Sequence, residues 1–290
     1  MATVDLIKKL RKIEIKSKGL SNQLFSGEYH SAFKGRGMAF SEVREYQPGD
    51  DIRTIDWNVT ARFNHPFIKV YEEEREMTVM LVVDVSGSEN FGTEVQLKKD
   101  LITELCATLA FSTITNNDKV GVLFFSDKIE KFIPPKKGKS HVLFIIRELI
   151  DFVPKNNGTN IGDALKFLNT LIKKRSTIFL ISDFNDTNYD DAFKVTSKKH
   201  DLVVMKIKDR NEQNWADLGL VKFKDPETGN ERFVDTSDAK VKKHFFEMKS
   251  KAESYFNKLV TSTGTDFCQI NTRDSYVKPL MTLFKRRGAK

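Results

Sequence analysis

Cysteine is nearly absent. Cys106 and Cys268 are the 2 thiols in 290 residues, far apart and each set in an apolar pattern. So few exclude a disulfide framework and a cysteine zinc site, and predict reduced core thiols in a cytoplasmic protein. Tryptophan is also scarce, at 2 residues against 23 phenylalanines, which predicts a core filled by Phe. No stretch approaches the ~18 apolar residues of a membrane-spanning helix, so no span is expected. The first ten residues turn basic at once, at Lys8 and Lys9, and contain no apolar run, so no secretory signal is expected. No low-complexity tract interrupts the chain. What remains is 39% apolar and 30% charged, the balance of a soluble globular protein with one large domain, or one domain and an appendage.

The formal charge of +8 invites a nucleic-acid reading. The basic residues, however, fall in short scattered groups such as Lys136-Lys137, Lys173-Lys174-Arg175 and Lys285-Arg286-Arg287. Several groups sit where helices are predicted to end, where cations offset the helix dipole. None is interleaved with aromatic residues as an RNA-binding surface requires. The charge therefore reads as solvated surface, and no nucleic-acid partner is expected.

Chemistry concentrates at Asp84-Val-Ser86-Gly-Ser88. The preceding Met77–Val83 is a continuous apolar run, the signature of a buried parallel strand. A helical pattern follows, in which Leu97, Leu101, Leu105 and Leu109 recur at i+4. An acid and two hydroxyls on alternate residues, at a strand-to-helix turn, place three oxygens on one side of the loop. Hard divalent cations take such ligands, so the loop reads first as a metal site and only second as an enzyme site. Two more positions join it. Thr159 lies in the loop before a predicted helix at Ile161, and Asp183 follows a buried strand at Thr177–Ile181. Further strands are predicted at Lys119–Phe125, Leu202–Ile207 and Phe267–Ile270, a hairpin arm at Lys128–Ile133, and helices at His141–Ile150 and Ile161–Ile172. A long helix is predicted from Ser237 to a stop at Gly264, with Met248, Ala252, Phe256 and Leu259 facing inward, followed by a last helix capped by Ser275. Strand–helix alternation predicts a mostly parallel α/β sheet with helices on both faces, whose ligand site forms at the carboxyl ends of its strands.

Residues 35–76 differ. They read as short β-type runs broken by turns at Pro48-Gly49-Asp50-Asp51 and Asn64-His65-Pro66. They carry Arg44, Asp50, Asp51, Arg53, Asp56, Trp57, Arg62, Glu74 and Arg75. This cluster has two readings: an ion-pair and aromatic network bracing two hairpins, or a docking surface for a partner. The expected organisation is an N-terminal basic helix and signature segment over 1–76, packed on an α/β domain over 77–290.

Other chemistries lack their residues. The five histidines form no H-E-x-x-H pair. Lys137-Gly138-Lys139-Ser140 looks like the end of a phosphate loop, but Ile133 stands where its first glycine belongs. Ser86 as a nucleophile has no base indicated beside it. A phosphoesterase or nuclease using the same carboxylates is the alternative to binding.

The ordered set Asp84, Ser86, Ser88, Thr159 and Asp183 resembles the metal-ion-dependent adhesion site of von Willebrand factor A-type domains over residues 77 to about 285. The resemblance implies a Rossmann-like fold and Mg²⁺ as the cation, with Mn²⁺ or Ca²⁺ as substitutes. It implies direct ligation by Ser86 and Ser88, and direct or water-mediated ligation by Asp84, Thr159 and Asp183. Glu89 departs from the pattern, where a small or apolar residue is common. The upstream block, from Gly35-Arg-Gly37 through Arg44-Glu-Tyr46-Gln-Pro48-Gly-Asp-Asp51 and Asp56-Trp57 to Glu74-Arg75-Glu76, is similar to the bacterial family called domain of unknown function 58. That resemblance implies a non-enzymatic, metal-dependent protein-binding module associated with MoxR-type AAA+ ATPases in protein maturation or complex assembly. Membrane-anchored A-domain proteins, or a client, are the other partners it implies, held through an acidic ligand residue.

Overall fold

The computed structural model describes residues 11, 13–14, 16–20, 39–72, 77–87, 92–93, 96–209, 217–224, 231–272 and 274–288. Two compact units emerge: Lys34–Met77, and Thr78–Lys290 together with Met1–Phe33.

In the smaller unit, β1 (Ala39–Glu45) pairs antiparallel with β2 (Phe67–Glu72), with Val43 opposite Lys69 and Glu45 opposite Phe67. The connection is built by side-chain caps on the backbone. Asp51 accepts from the Arg53 N–H at the start of a 3-10 turn, Ile52–Thr54. Asp56 accepts from the Asn58 and Val59 N–H groups and so opens helix α1, Trp57–Phe63. Asn64, in the left-handed conformation at φ 56°, ends it. Sequence reading expects only strands and turns here. A seven-residue helix arises because an Asp cap satisfies the first free donors, a local effect that apolar periodicity does not reveal.

The larger unit is a six-stranded sheet. Its strands are β3 (Thr78–Asp84), β4 (Lys119–Phe125), β5 (Ile129–Lys136), β6 (Thr177–Ser182), β7 (Asp201–Lys208) and, after a separate hairpin of β8 (Leu220–Lys224) and β9 (Glu231–Asp235), β10 (Asp266–Asn271). The order is β10-β7-β6-β3-β4-β5. All neighbours are parallel except β5, which folds back antiparallel on β4. The mostly parallel α/β architecture expected from the sequence is the one observed. Met80, Val82, Leu123, Phe125, Leu180 and Val204 face helices α4 (Ile161–Leu171) and α5 (Asp190–Lys199). Helices α2 (Lys98–Thr115), α3 (Lys139–Asp151) and α7 (Val277–Gly288) supply the other buried set, including Leu101, Leu105, Ile145, Ile146, Leu280 and Phe284. Gly121 is required by close approach: a Cβ there would stand 2.7 Å from the Ile133 carbonyl oxygen. Both cysteines are buried and unpaired, and burial pushes their thiols up.

Helix α6 (Ala239–Thr263) is capped by Asp238, not Ser237, and stops at Gly264 in the left-handed region. Only Phe256, Leu259 and Val260 of this helix are buried. Met248 and Ala252, expected inward, are exposed because only the last turns lie on the sheet cluster. The hairpin β8–β9 is unanticipated by the sequence reading. Among the described residues, no helix is long and apolar enough to cross a membrane.

His200, at the end of α5, is buried, and its Nδ1 accepts the Ser176 N–H at 3.3 Å. Burial, helped by Lys199 and Arg175, pushes its pKa from 6.5 to about 4. The folded state therefore favours the neutral ring. Its contribution is full above pH 6.5 and is lost as pH falls through about 4, a span of roughly 3 kcal/mol. His200→Asn, which keeps an acceptor, is expected to flatten that part of the acid loss. Urea-unfolding midpoints of both proteins across this pH range check it.

Candidate metal centre

The site begins where the strand order reverses. From β3 the chain passes through α2 to β4 on one side, and later returns as β6 on the other. The carboxyl ends of β3 and β6 thus flank the crevice where open α/β sheets hold ligands. Parallel register sets Val83 beside Ile181 and Asp84 beside Phe125, so Asp84 and Asp183 emerge from neighbouring strands.

Asp84 is buried, with 1% of its surface exposed. Its Oδ1 accepts the Ser86 N–H at 3.0 Å, which folds the loop tightly after β3. Its Oδ2 accepts the Ser182 hydroxyl at 2.6 Å. Ser182 Oγ in turn accepts the Phe184 N–H at 3.0 Å, and Phe184 takes the left-handed conformation at φ 60°. A bulky side chain pays strain there, and its ring is held 4.9 Å from that of Phe256. Asp183 is fixed through both oxygens. Oδ1 accepts the Asn185 N–H at 3.1 Å, and Oδ2 receives Lys98 Nζ at 3.0 Å. Ser86 is buried and Thr159 half-buried. The loop carrying Thr159 is tied to the Asp84 loop by the Gly87 N–H donating to the Asn157 carbonyl at 2.8 Å, and to the end of β4 by the Asn160 N–H on the Ser126 carbonyl at 2.9 Å. Four of the five expected ligands therefore lie on joined loops at one sheet edge. The fifth, Ser88, lies outside the described residues.

Burial, and then the charge of Asp183, push the Asp84 pKa up to about 7, against the donors Ser182 and Ser86. An acid whose charge is disfavoured this way gains from a nearby cation. Among the described residues no group of three or more His, Cys, Asp or Glu converges on a point, so a cation here depends on the hydroxyls as well as the two acids. Two carboxylates with Ser and Thr oxygens form a hard-donor set that suits Mg²⁺ or Ca²⁺ and not zinc. The residues present fit the ion. Nearby Lys206 pairs with Glu253 at 3.1 Å, an acid it shares with Lys208 at 2.8 Å, lies over the Phe256 ring, and also feels the charge of Asp183.

The upstream cluster divides. Arg44 grips Asp50 with two bonds of 2.8 Å, and Asp50 also accepts the Gln47 N–H. The Arg44 guanidinium holds the Asp50 carboxyl below its usual range. Asp51 and Asp56 serve as the caps already described, and Asp56 also faces Lys69 at 3.5 Å. Arg53, Trp57 and Arg62 are instead exposed, with Ile52 and Phe63. Residues 35–38 and 74–76 lie outside the described residues.

Sequence reasoning missed Lys98 and Ser182. The signal for Lys98 was present: the stripe of Leu101, Ile102 and Leu105, extended one turn back, lands on it. Ser182→Ala removes the hydroxyl that serves buried Asp84, and is expected to cost about 1–3 kcal/mol, read as a lower urea midpoint at constant slope.

Uncharacterized protein Rv1480 of Mycobacterium tuberculosis (strain ATCC 25618 / H37Rv) is 28% identical over 223 residues, 76% of this chain and 70% of its own length. The crystal structure of conserved hypothetical protein BatB from Bacteroides thetaiotaomicron overlaps 74% of this chain and 100% of its own, at 14% identity and a TM-score of 0.50, a likeness of fold. The SpRpn10 VWA domain overlaps 73% of this chain and 95% of its own, at 12% identity and a TM-score of 0.42. The profile of the family described as "Protein of unknown function DUF58" matches residues 42–255. With most of its length matched, from the hairpin unit through the sheet to α6, this chain belongs to the DUF58 family.

Proposed function

We propose that the chain is a non-enzymatic protein-binding module whose α/β unit takes up a divalent cation and uses it to hold an acidic residue of a partner. The observation that carries this reading is the meeting of Asp84 and Asp183 at the reversal point of the sheet, with Asp84 so buried that its charge is disfavoured. Asp84, Ser86, Thr159 and Asp183 would hold the ion, with Ser88 completing the set. A bound Mg²⁺, or Mn²⁺ or Ca²⁺ in its place, supplies an oxygen-seeking positive centre with coordination positions left for water or a partner's carboxylate. The chain's own residues prepare for it. Ser182 and the Ser86 N–H aim Asp84, while Asn185 and Lys98 aim Asp183.

Two of the five histidines stand away from the acids, which weighs against either as a base for phosphoester hydrolysis. His141 bonds the Val120 carbonyl at the start of β4, and His200 faces Ser176 ahead of β6. Both belong to the amino edge of the sheet, opposite the acids, so neither can serve as a base at the crevice. Family resemblance suggests the partner: a MoxR-type AAA+ ATPase in the cytoplasm, a membrane-anchored A-domain protein, or a client that the ATPase remodels. Exposed Arg53, Trp57 and Arg62 on the smaller unit are candidates for further docking contacts.

The test is co-purification with a MoxR-type ATPase in Mg²⁺ and in EDTA. Wild type is expected to retain the ATPase in Mg²⁺ alone, and Asp84→Ala to lose it by tenfold or more (on the order of 1.4 kcal/mol). Equal, metal-independent capture by both proteins would sink the metal bridge. Turnover of a generic phosphoester, abolished by Asp183→Ala, would replace binding with catalysis.

A further inference from the structure

Lys98 stands in a position that no local preference explains. It is the first residue of α2, where the helix dipole disfavours a cation. Its side chain is fully buried, and burying an ammonium is costly unless it is paired. Asp183 helps to offset both costs: Nζ lies 3.0 Å from its Oδ2. An ammonium has no lone pair and cannot ligate a metal. It can act on the site only through its charge and its hydrogen bonds.

Counting charges gives that action a direction. With a cation bound, Asp84 and Asp183 contribute two negative charges and Lys98 one positive, while Lys206 and Lys208 share the single charge of Glu253. The acids and Lys98 together leave a single negative charge for a divalent cation to meet. Once loaded, the same group carries a single positive charge that no acid of the pair is left to neutralise. Without Lys98, two acids and one divalent ion would balance.

We propose that Lys98 is a built-in counter-ion of the cation site: it weakens the hold on a divalent ion alone and makes cation and partner carboxylate bind cooperatively. The inference rests on the cation reading given above. Linkage makes the effect reciprocal, so a carboxylate that enters the loaded site must tighten the cation by the same factor. The partner is thereby specified as an anion, and an acidic side chain is the form a protein supplies.

Calorimetric titration of the full chain with Mn²⁺, in chloride and in acetate buffers of equal ionic strength, tests this. Wild type is expected to bind Mn²⁺ weakly in chloride and several-fold more tightly in acetate. Lys98→Met is expected to bind at least about tenfold more tightly in chloride, since one unit charge beside a divalent ion is removed, and to lose the acetate effect. Lys98→Arg, which keeps the charge, should behave as wild type. Circular dichroism verifies folding of each variant. Should Lys98→Met fail to fold, Lys98→Gln, which retains a donor for Asp183, carries the same expectation. Mn²⁺ binding abolished by Asp84→Ala but not tightened in the neutral variant would overturn the counter-ion role and leave the cation reading intact. Wild type and Asp84→Ala that are alike in failing to bind Mn²⁺ would overturn both.

Discussion

Two carboxylates at the ends of adjacent buried strands impose the constraint around which the larger unit is arranged. Parallel pairing of β3 with β4 and β6 brings the strand ends to one level, and complete burial of those strands removes water from the ground beneath them. Like charges in such a place repel and resist ionisation. Each group near them answers that difficulty. Ser182 and the Ser86 N–H serve Asp84, the Asn185 N–H and Lys98 serve Asp183, and the bond from Gly87 to Asn157 brings a hydroxyl-bearing loop to the same edge. The acids would be a liability if they served packing alone. Their placement on so costly a footing is what supports the proposed cation.

The smaller unit solves its problem by a different route. With a two-stranded sheet and short helical turns it has little apolar surface to bury, and a lone hairpin is marginal in water. Its order comes from polar side chains that close backbone groups: Asp50 on Gln47, Asp51 on Arg53, Asp56 on Asn58 and Val59, and Thr60 on Phe67. The charged cluster that reads in sequence as either a brace or a docking surface is split by exposure. Arg44, Asp50 and Asp56 bond within the connection and Asp51 caps it from the surface, while Arg53, Trp57 and Arg62 stay in solvent.

Where burial and periodicity coincide, the fold is legible in the sequence. The strands at Thr78, Lys119, Thr177 and Asp201 each carry a run of apolar residues, and α2 to α4 carry clear i+4 stripes, so element type follows from the side chains. Asp84, Thr159 and Asp183 are legible for the same reason, because each follows or precedes such an element. Legibility fails where one local bond decides. Helix α1 depends on the Asp56 cap, and the inward face of α6 depends on how far the sheet extends beneath it. Lys98 escaped notice because lysine is read as surface by default, although its spacing puts it on the buried stripe. Ser182, hidden beside a conspicuous acid, shows its bond to Asp84 only once the structure sets the two side by side.

Phe184 gives the site a property that its polar residues do not supply. Its ring lies 4.9 Å from that of Phe256 and 6.2 Å from that of Tyr189, while its backbone is held in a conformation that few large residues adopt. The turn that presents Asp183 is therefore clamped from below by aromatic packing and does not float as a surface loop does. A ligand arriving at that carboxylate meets a group already placed, with little ordering left to do. Because Phe256 belongs to α6, the long helix and the acid share one mechanical support, and the hydrophobic interior sets the aim of the charge above it.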